Sequence, residues 1–164
     1  MTRNEIVVGL DDSPSSKAAL SWAAEQAIRT HTVLRAVHVL GWPYGPNAAA
    51  SPGSRDAMNL TFENAQAAYV ASITKVFDDI APRPDWLIQF AKGEPGAVLV
   101  RQSRDAQLLV VGTREHVGLG RLLVGSISHH CLSHALCPVV AVPALTRAAP
   151  TELSDQGLVG EAGA

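Results

Sequence analysis

Residues 107–143 read QLLVVGTREHVGLGRLLVGSISHHCLSHALCPVVAVP, and they spell out one complete strand, loop, helix and strand. The opening run Gln107 to Val111 (QLLVV) is short and lacks polar alternation, which is how a strand covered on both faces reads. A glycine-containing loop spans Gly112 to Gly125, a helix runs from about Ser126 to Ala135, and Pro138 to Val142 (PVVAV) forms the last strand. Pro138 fits a strand whose first residue needs no ladder donor, and Pro143 ends it. Two such strands joined through a helix make a parallel pair, which places the chain in the α/β class.

Working outward, the same pattern recurs. Glu5 to Gly9 (EIVVG) is the first strand, followed by the turn Leu10, Asp11, Asp12. Ser13 is placed as an N-cap with Pro14 at the first helical position. Leu20, Ala23, Ala24, Ala27 and Ile28 then form one apolar helical stripe. Thr32 to Leu40 is the second strand. Gly41 to Arg55 carries three prolines and three glycines and reads as a mobile loop or lid. Met58, Phe62, Ala65, Tyr69, Ile73, Val76 and Phe77 mark a long helix ending before Pro82. Trp86 to Ala91 is the third strand, and Gly93, Glu94 and Pro95 open a short helix through Gln102. Residues 144–164 have no aromatic side chain and no periodicity, so they read as a disordered tail.

Composition narrows the function. At 164 residues the chain is one domain, and 47% hydrophobic residues supply a core. Thirteen basic against fifteen acidic side chains give a net charge of −2 without any basic cluster, which argues against nucleic acid as the ligand. Two cysteines suit a reducing compartment, and no run approaches the ~20 apolar residues of a membrane span, so a cytoplasmic location is expected.

In parallel sheets ligands sit beyond the carboxyl ends of the strands. Two turns qualify: Gly9 to Ser13, and the loop Gly112 to Ser126. The second ends in a helix whose first residues are Gly125, Ser126, Ile127 and Ser128, where amides and hydroxyls suit a phosphate. Taken alone, these glycines equally well serve only to permit a tight connection. The P-loop pattern and the dinucleotide fingerprint are both absent. No nucleophile with an assignable base emerges, since Ser13 and Ser126 are explained as caps. Nucleotidyl transfer would need a His-x-Gly-His motif, which is absent, or an activating lysine, and the lysines are Lys17, Lys75 and Lys92 alone.

The run 110–143, taken with IVVGLDDSPSSKAALSWAAEQA near the start, resembles the universal stress protein family, in order and over about residues 5–143. The resemblance implies a three-layer Rossmann-like fold of the adenine nucleotide alpha hydrolase-like kind. Its five parallel strands would be ordered 3-2-1-4-5, in a domain over 1–143. It also implies ATP, held with or without Mg²⁺, in a stress-response regulator with at most slow hydrolysis. Nucleotide-binding members carry G-x2-G-x9-G-[ST]. Gly112 matches the first glycine and Gly125 with Ser126 the final pair, while Glu115 replaces the middle glycine and Asp12 a common glycine of the first turn. The implied contacts are Gly9 and Asp11 at the first turn, with Asp11 holding adenine, and His38 with Val39 beside the base. Val111 and Gly112 would lie by the ribose, and Arg114, Gly125, Ser126 and Ile127 on the phosphate side. A left-handed backbone at Glu115 would cost ~1–2 kcal/mol, and its carboxylate about 6 Å from a phosphate roughly 3 kcal/mol more. Alternatively Glu115 points to solvent or holds Mg²⁺. The resemblance further implies a homodimer through Pro138 to Val142, an apolar edge without charge that would bury Val139, Val140 and Val142. The competing reading is an interaction module of the same fold that binds no nucleotide.

His130 and His134 stand one helical turn apart near His129, Cys131 and Cys137, a spacing that raises a zinc site. Cys131 falls on the apolar stripe with Ile127 and Ala135, so a small buried hydrophobe is the stronger reading. Trp22, Trp42 and Trp86 are read as packing residues.

Overall fold

The computed structural model describes residues 4–40, 55–81, 83–115, 122–123 and 125–144, with side chains described for all of these but 55–62, 114–115 and 122–123. The 41–54 part of the expected lid with Trp42, the 116–121 part of the glycine loop and the 145–164 part of the tail lie outside the described residues. Five strands pair in parallel: β1 (Glu5–Gly9), β2 (Val33–Leu40), β3 (Leu87–Lys92), β4 (Leu108–Glu115) and β6 (Val139–Pro143). Their order across the sheet is β3-β2-β1-β4-β6, the expected 3-2-1-4-5 arrangement counted over the parallel strands. A two-residue strand β5 (Leu122–Leu123) pairs antiparallel with the end of β4.

Period-2 alternation divides the strand side chains between two cores. On one face Ile6, Val8, Leu34, Ala36 and Val110 pack against helix α1 (Pro14–Thr30) and helix α2 (Arg55–Ile80), through Leu20, Ala23, Ile73 and Phe77. On the other face Val7, Val37, Leu109 and Val111 pack against helices α3 (Pro95–Gln102) and α4 (Ser126–His134), through Val98, Leu99 and Cys131. This is a three-layer α/β sandwich. At the amino ends of the strands, Arg35 is only 8% exposed. Its guanidinium donates to both carboxylate oxygens of Glu5 at 2.8 and 2.9 Å, to Gln89 Oε1 and to Gln102 Oε1 and its carbonyl. Every donor of that buried cation that could be orphaned in the core finds an acceptor, which is the condition for burying a charge.

Several boundaries differ from the sequence reading, by one residue at the start of β2, at both ends of β3, which runs to Lys92, and at the end of α4. Strand β4 continues past Val111 through Gly112 to Glu115, because Arg114 and Glu115 find antiparallel partners in Leu123 and Leu122. Residues 112–115 are therefore strand, not loop. Strand β6 includes Pro143, opposite Thr113; an edge strand tolerates a missing donor on its open side. Helix α2 begins at Arg55, which the loop reading had included.

Candidate functional site

At the carboxyl ends of β1, β2 and β4 a cleft of about 170 Å³ opens between the strand ends and helices α1, α3 and α4. A single water centre needs roughly 10–15 Å³ by such a measure, so the cleft has room for a small organic molecule.

Its first wall is the β1 to α1 turn. Ser13 caps α1, accepting from Ser16 N at 3.2 Å, with Pro14 at the start of the helix. Asp11 N donates to Ser16 Oγ at 2.7 Å, and Ser16 Oγ donates to Gly9 O at 3.2 Å. Asp11 Oδ1 accepts from Ser13 N at 2.9 Å, an Asx turn that fixes the carboxylate's orientation and leaves Oδ2 as the atom a ligand donor can meet.

The second wall is the end of β2. His38 is 4% exposed, and its Nδ1 lies 2.7 Å from Leu10 O. A carbonyl oxygen can only accept, so Nδ1 carries the proton. Val39 packs with the α3/α4 core. The His38 ring instead meets Tyr69 of α2 and Phe90 of β3 edge-on, with centroids at 5.4 and 5.7 Å. His38 thus holds the carbonyl just before Asp11 in place.

The third wall is the end of β4 and the start of α4. A Cβ on Gly112 would lie 2.7 to 2.8 Å from Ser15 C, Ser15 O and Ser16 N. The first turn of α1 lies directly against β4 here, and only glycine allows the approach.

Three helix N-termini border this cleft, and their caps differ. Helix α1 is capped by Ser13. Helix α3 is capped by the Glu94 carboxylate, which accepts from Ala97 N at 2.7 Å and Gly96 N at 3.2 Å; the Ala97 bond above all holds its pKa below the usual carboxylate value. Helix α4 begins at Gly125 with no side-chain cap. Among the described residues no side chain caps its first amides, and these with the positive dipole end attract an anion. Ser126 is exposed beside them, whereas Ser128 is buried and donates to Gly125 O at 3.0 Å. The Ser128 hydroxyl therefore braces the helix start, a different use from the phosphate contact expected of it.

Gly9, Asp11, His38, Val39, Val111, Gly112, Gly125, Ser126 and Ile127 all border this one cleft. Arg114 is placed by its backbone in β4, opposite Leu123, and its side chain lies outside the described residues. The same holds for Glu115, whose backbone is in a strand; among the described residues His31 is the non-glycine with positive φ. The left-handed strain expected at Glu115 is thus absent. Sequence reasoning missed Ser15, Ser16, Val37, Pro95 and Leu99, which also line it. The Glu94-Pro95 helix start was the signal for α3, but nothing local showed that this start faces the same cleft. Cys131 is fully buried and its thiol is pushed up to about 11, mainly by burial. Among the described residues no three His, Cys, Asp or Glu side chains gather as a metal site.

A profile of the Universal stress protein family matches residues 2–143. A universal stress protein of Mycolicibacterium smegmatis is 33% identical over 148 residues, covering 86% of this chain and 48% of that protein. The chain spans about half the length of the curated relatives it matches. Among solved structures, UspA from Lactobacillus plantarum superposes with a TM-score of 0.65 at 21% identity, over 87% of this chain and 99% of that one. A universal stress protein in complex with cAMP gives 0.56 at 23% identity, covering 88% and 99%. The Archaeoglobus fulgidus protein in complex with dAMP gives 0.52 at 22% identity, covering 87% and 99%. Among the described residues no helix is long and apolar enough to cross a membrane.

Proposed function

The chain belongs to the universal stress protein family, and from that premise we propose that its cleft binds an adenine nucleotide, with ATP the expected form, in a regulatory domain of a stress response. The observation that carries the reading is the uncapped start of α4 at Gly125, facing a cleft whose other two helix starts are already capped. An anionic group goes where amides lack partners. Two structural neighbours solved with cAMP and dAMP support an adenosine phosphate as the ligand class.

In this reading the phosphates lie on the amides of Ser126 and Ile127, the ribose lies by Val111 and Gly112, and the base amine donates to Asp11. Gly112 serves twice, letting α1 close onto β4 and leaving backbone exposed to the sugar. Mg²⁺ would enter as the counter-ion of a polyphosphate, since the described residues gather no metal site of their own. Among the described residues the cleft pairs no nucleophile with a base, and the reading is of binding with at most slow turnover.

A dimer through β6 belongs to the same proposal. Its five residues are half-buried in the single chain, and it lies at the sheet margin beside β4. Unpaired ladder groups beside Val139, Val140 and Val142 favour a second copy about a two-fold axis. The test is to release bound small molecules from purified protein with acid and identify them by chromatography. Titration calorimetry with ATP and AMP should accompany it. Adenine nucleotide in the extract, or a saturable isotherm, supports the reading. Protein that carries none and binds none supports the interaction module with an empty cleft.

A further inference from the structure

We propose that Tyr69 is a second reader of the nucleotide base, and that its hydroxyl and the Asp11 carboxylate together select adenine over guanine. The inference rests on the adenine-nucleotide reading above and adds to it a residue from α2, outside the family motif.

Tyr69 shares the apolar stripe of α2 with Ile73 and Phe77, yet those two are 0% and 4% exposed while Tyr69 is 37% exposed. The half-exposed position packs the ring and leaves the hydroxyl free to meet a donor or acceptor from outside the protein. Its ring meets His38 edge-on at 5.4 Å and 66°, and His38 in turn donates to the Leu10 carbonyl at 2.7 Å. Leu10 precedes Asp11. Tyr69, His38, Leu10 and Asp11 are therefore linked in turn by a ring contact, a hydrogen bond and one peptide bond, and Tyr69 adjoins the cleft through His38, just outside its lining. Burial first, then the charges of Asp12 and Asp11, raise the phenol above its usual value of 10.0. It keeps its proton at any physiological pH and can donate.

A donor beside a carboxylate is a two-point pattern. Adenine offers an amine donor at N6 flanked on both sides by ring-nitrogen acceptors, N1 and N7. Guanine places a carbonyl acceptor, O6, where adenine has the amine, next to N7. Asp11 accepting from N6 while Tyr69 donates to the adjoining nitrogen satisfies adenine at both points. Guanine in the same pose sets O6 against the Asp11 carboxylate, two acceptors with no proton between them.

The experiment is titration calorimetry on the full chain, wild type and Tyr69→Phe, with AMP, GMP, 1-deaza-AMP and 7-deaza-AMP. Tyr69→Phe keeps the ring on His38, and near-ultraviolet circular dichroism checks the packing. The wild type should prefer AMP to GMP by about tenfold or more, and should lose about tenfold on one of the two deaza analogues. Tyr69→Phe should lose a similar factor for AMP and bind AMP and that same analogue equally, a loss of discrimination that a purely structural role would not produce. Unchanged AMP affinity in Tyr69→Phe, equal deaza losses in both proteins, or GMP bound as tightly as AMP would overturn the role of Tyr69 while leaving adenosine phosphate binding in place. A wild type that binds none of the four overturns the nucleotide reading itself, and the role of Tyr69 with it.

Discussion

Gly112→Ala isolates the contact that joins the first and last motifs of this chain. The backbone at Gly112 is an ordinary strand without positive φ, so on chain entropy alone alanine would stabilise by about 0.4–1 kcal/mol. Packing acts in the opposite direction. The new methyl would meet Ser15 C at 2.7 Å, Ser15 O at 2.8 Å and Ser16 N at 2.8 Å. All three are backbone atoms, and Ser16 is tied to Gly9, Asp11 and Ser13 by hydrogen bonds. No side chain can rotate away, so the cost lies near the top of the usual 1–3 kcal/mol for overpacking. The expected net loss is about 2 kcal/mol, or a Tm lower by roughly 4–8 °C for a domain of this size. Gly9→Ala is the control. Its Cβ would come as close, 2.9 Å, but to Leu99 Cδ1, the far end of a flexible side chain. Urea denaturation of both variants decides the matter. A Gly112→Ala midpoint at or above wild type, or equal losses in the two variants, would refute the close approach of α1 to β4 as the reason for glycine there. Displacing α1 also shifts Ser13 and the Asp11 turn, so nucleotide affinity should fall with stability in Gly112→Ala.

Glu115→Gln removes a charge from a residue whose backbone is already extended, so any gain is electrostatic. A unit charge about 6 Å from a phosphate costs roughly 3 kcal/mol at an effective dielectric near 20. ATP binding at low salt should tighten tenfold or more, and superimposable calorimetric isotherms would show that the carboxylate stands away from the phosphates. Cys131, fully buried with its thiol pushed up to about 11, should resist iodoacetamide at pH 8, while the partly exposed Cys137 reacts. Because the fold favours the protonated thiol, the unfolded chain ionises first above about 9. Stability should fall as pH rises from about 9 to about 11, and fall less in Cys131→Ala. Val140→Lys places a charge on the open edge of β6, and light scattering at micromolar concentration should show a dimer in wild type and a monomer or aggregate in the variant. A wild-type monomer, or a dimer indifferent to the lysine, would reject that interface.

Much of the architecture is local and was legible in the sequence. Strand runs, the Ser13-Pro14 start of α1 and the glycine start of α4 each depend on residues within one or two turns of each other. Strand order followed from the family resemblance and the alternation of elements. The motif glycines and Asp11 located the cleft because a ligand site at strand ends is built from the turns that the motif itself occupies. What the tertiary structure decided are contacts between residues far apart along the chain. Glu5 and Arg35 are 30 residues apart, and Arg35 and Gln102 are 67 apart; their polar ring depends on strand register, which no local pattern encodes. The extension of β4 to Glu115 depends on pairing with Leu122, and a short pairing of that kind leaves no hydrophobic period. His38 reads from sequence as a residue beside the base; it borders the cleft, and its place on the α2 face also makes it a brace for Leu10 and a seat for Tyr69. Gly112 is legible as a glycine that matters, while the reason lies in the backbone of Ser15 and Ser16, nearly a hundred residues earlier, and steric exclusion between segments that far apart exists only once the sheet has brought them together.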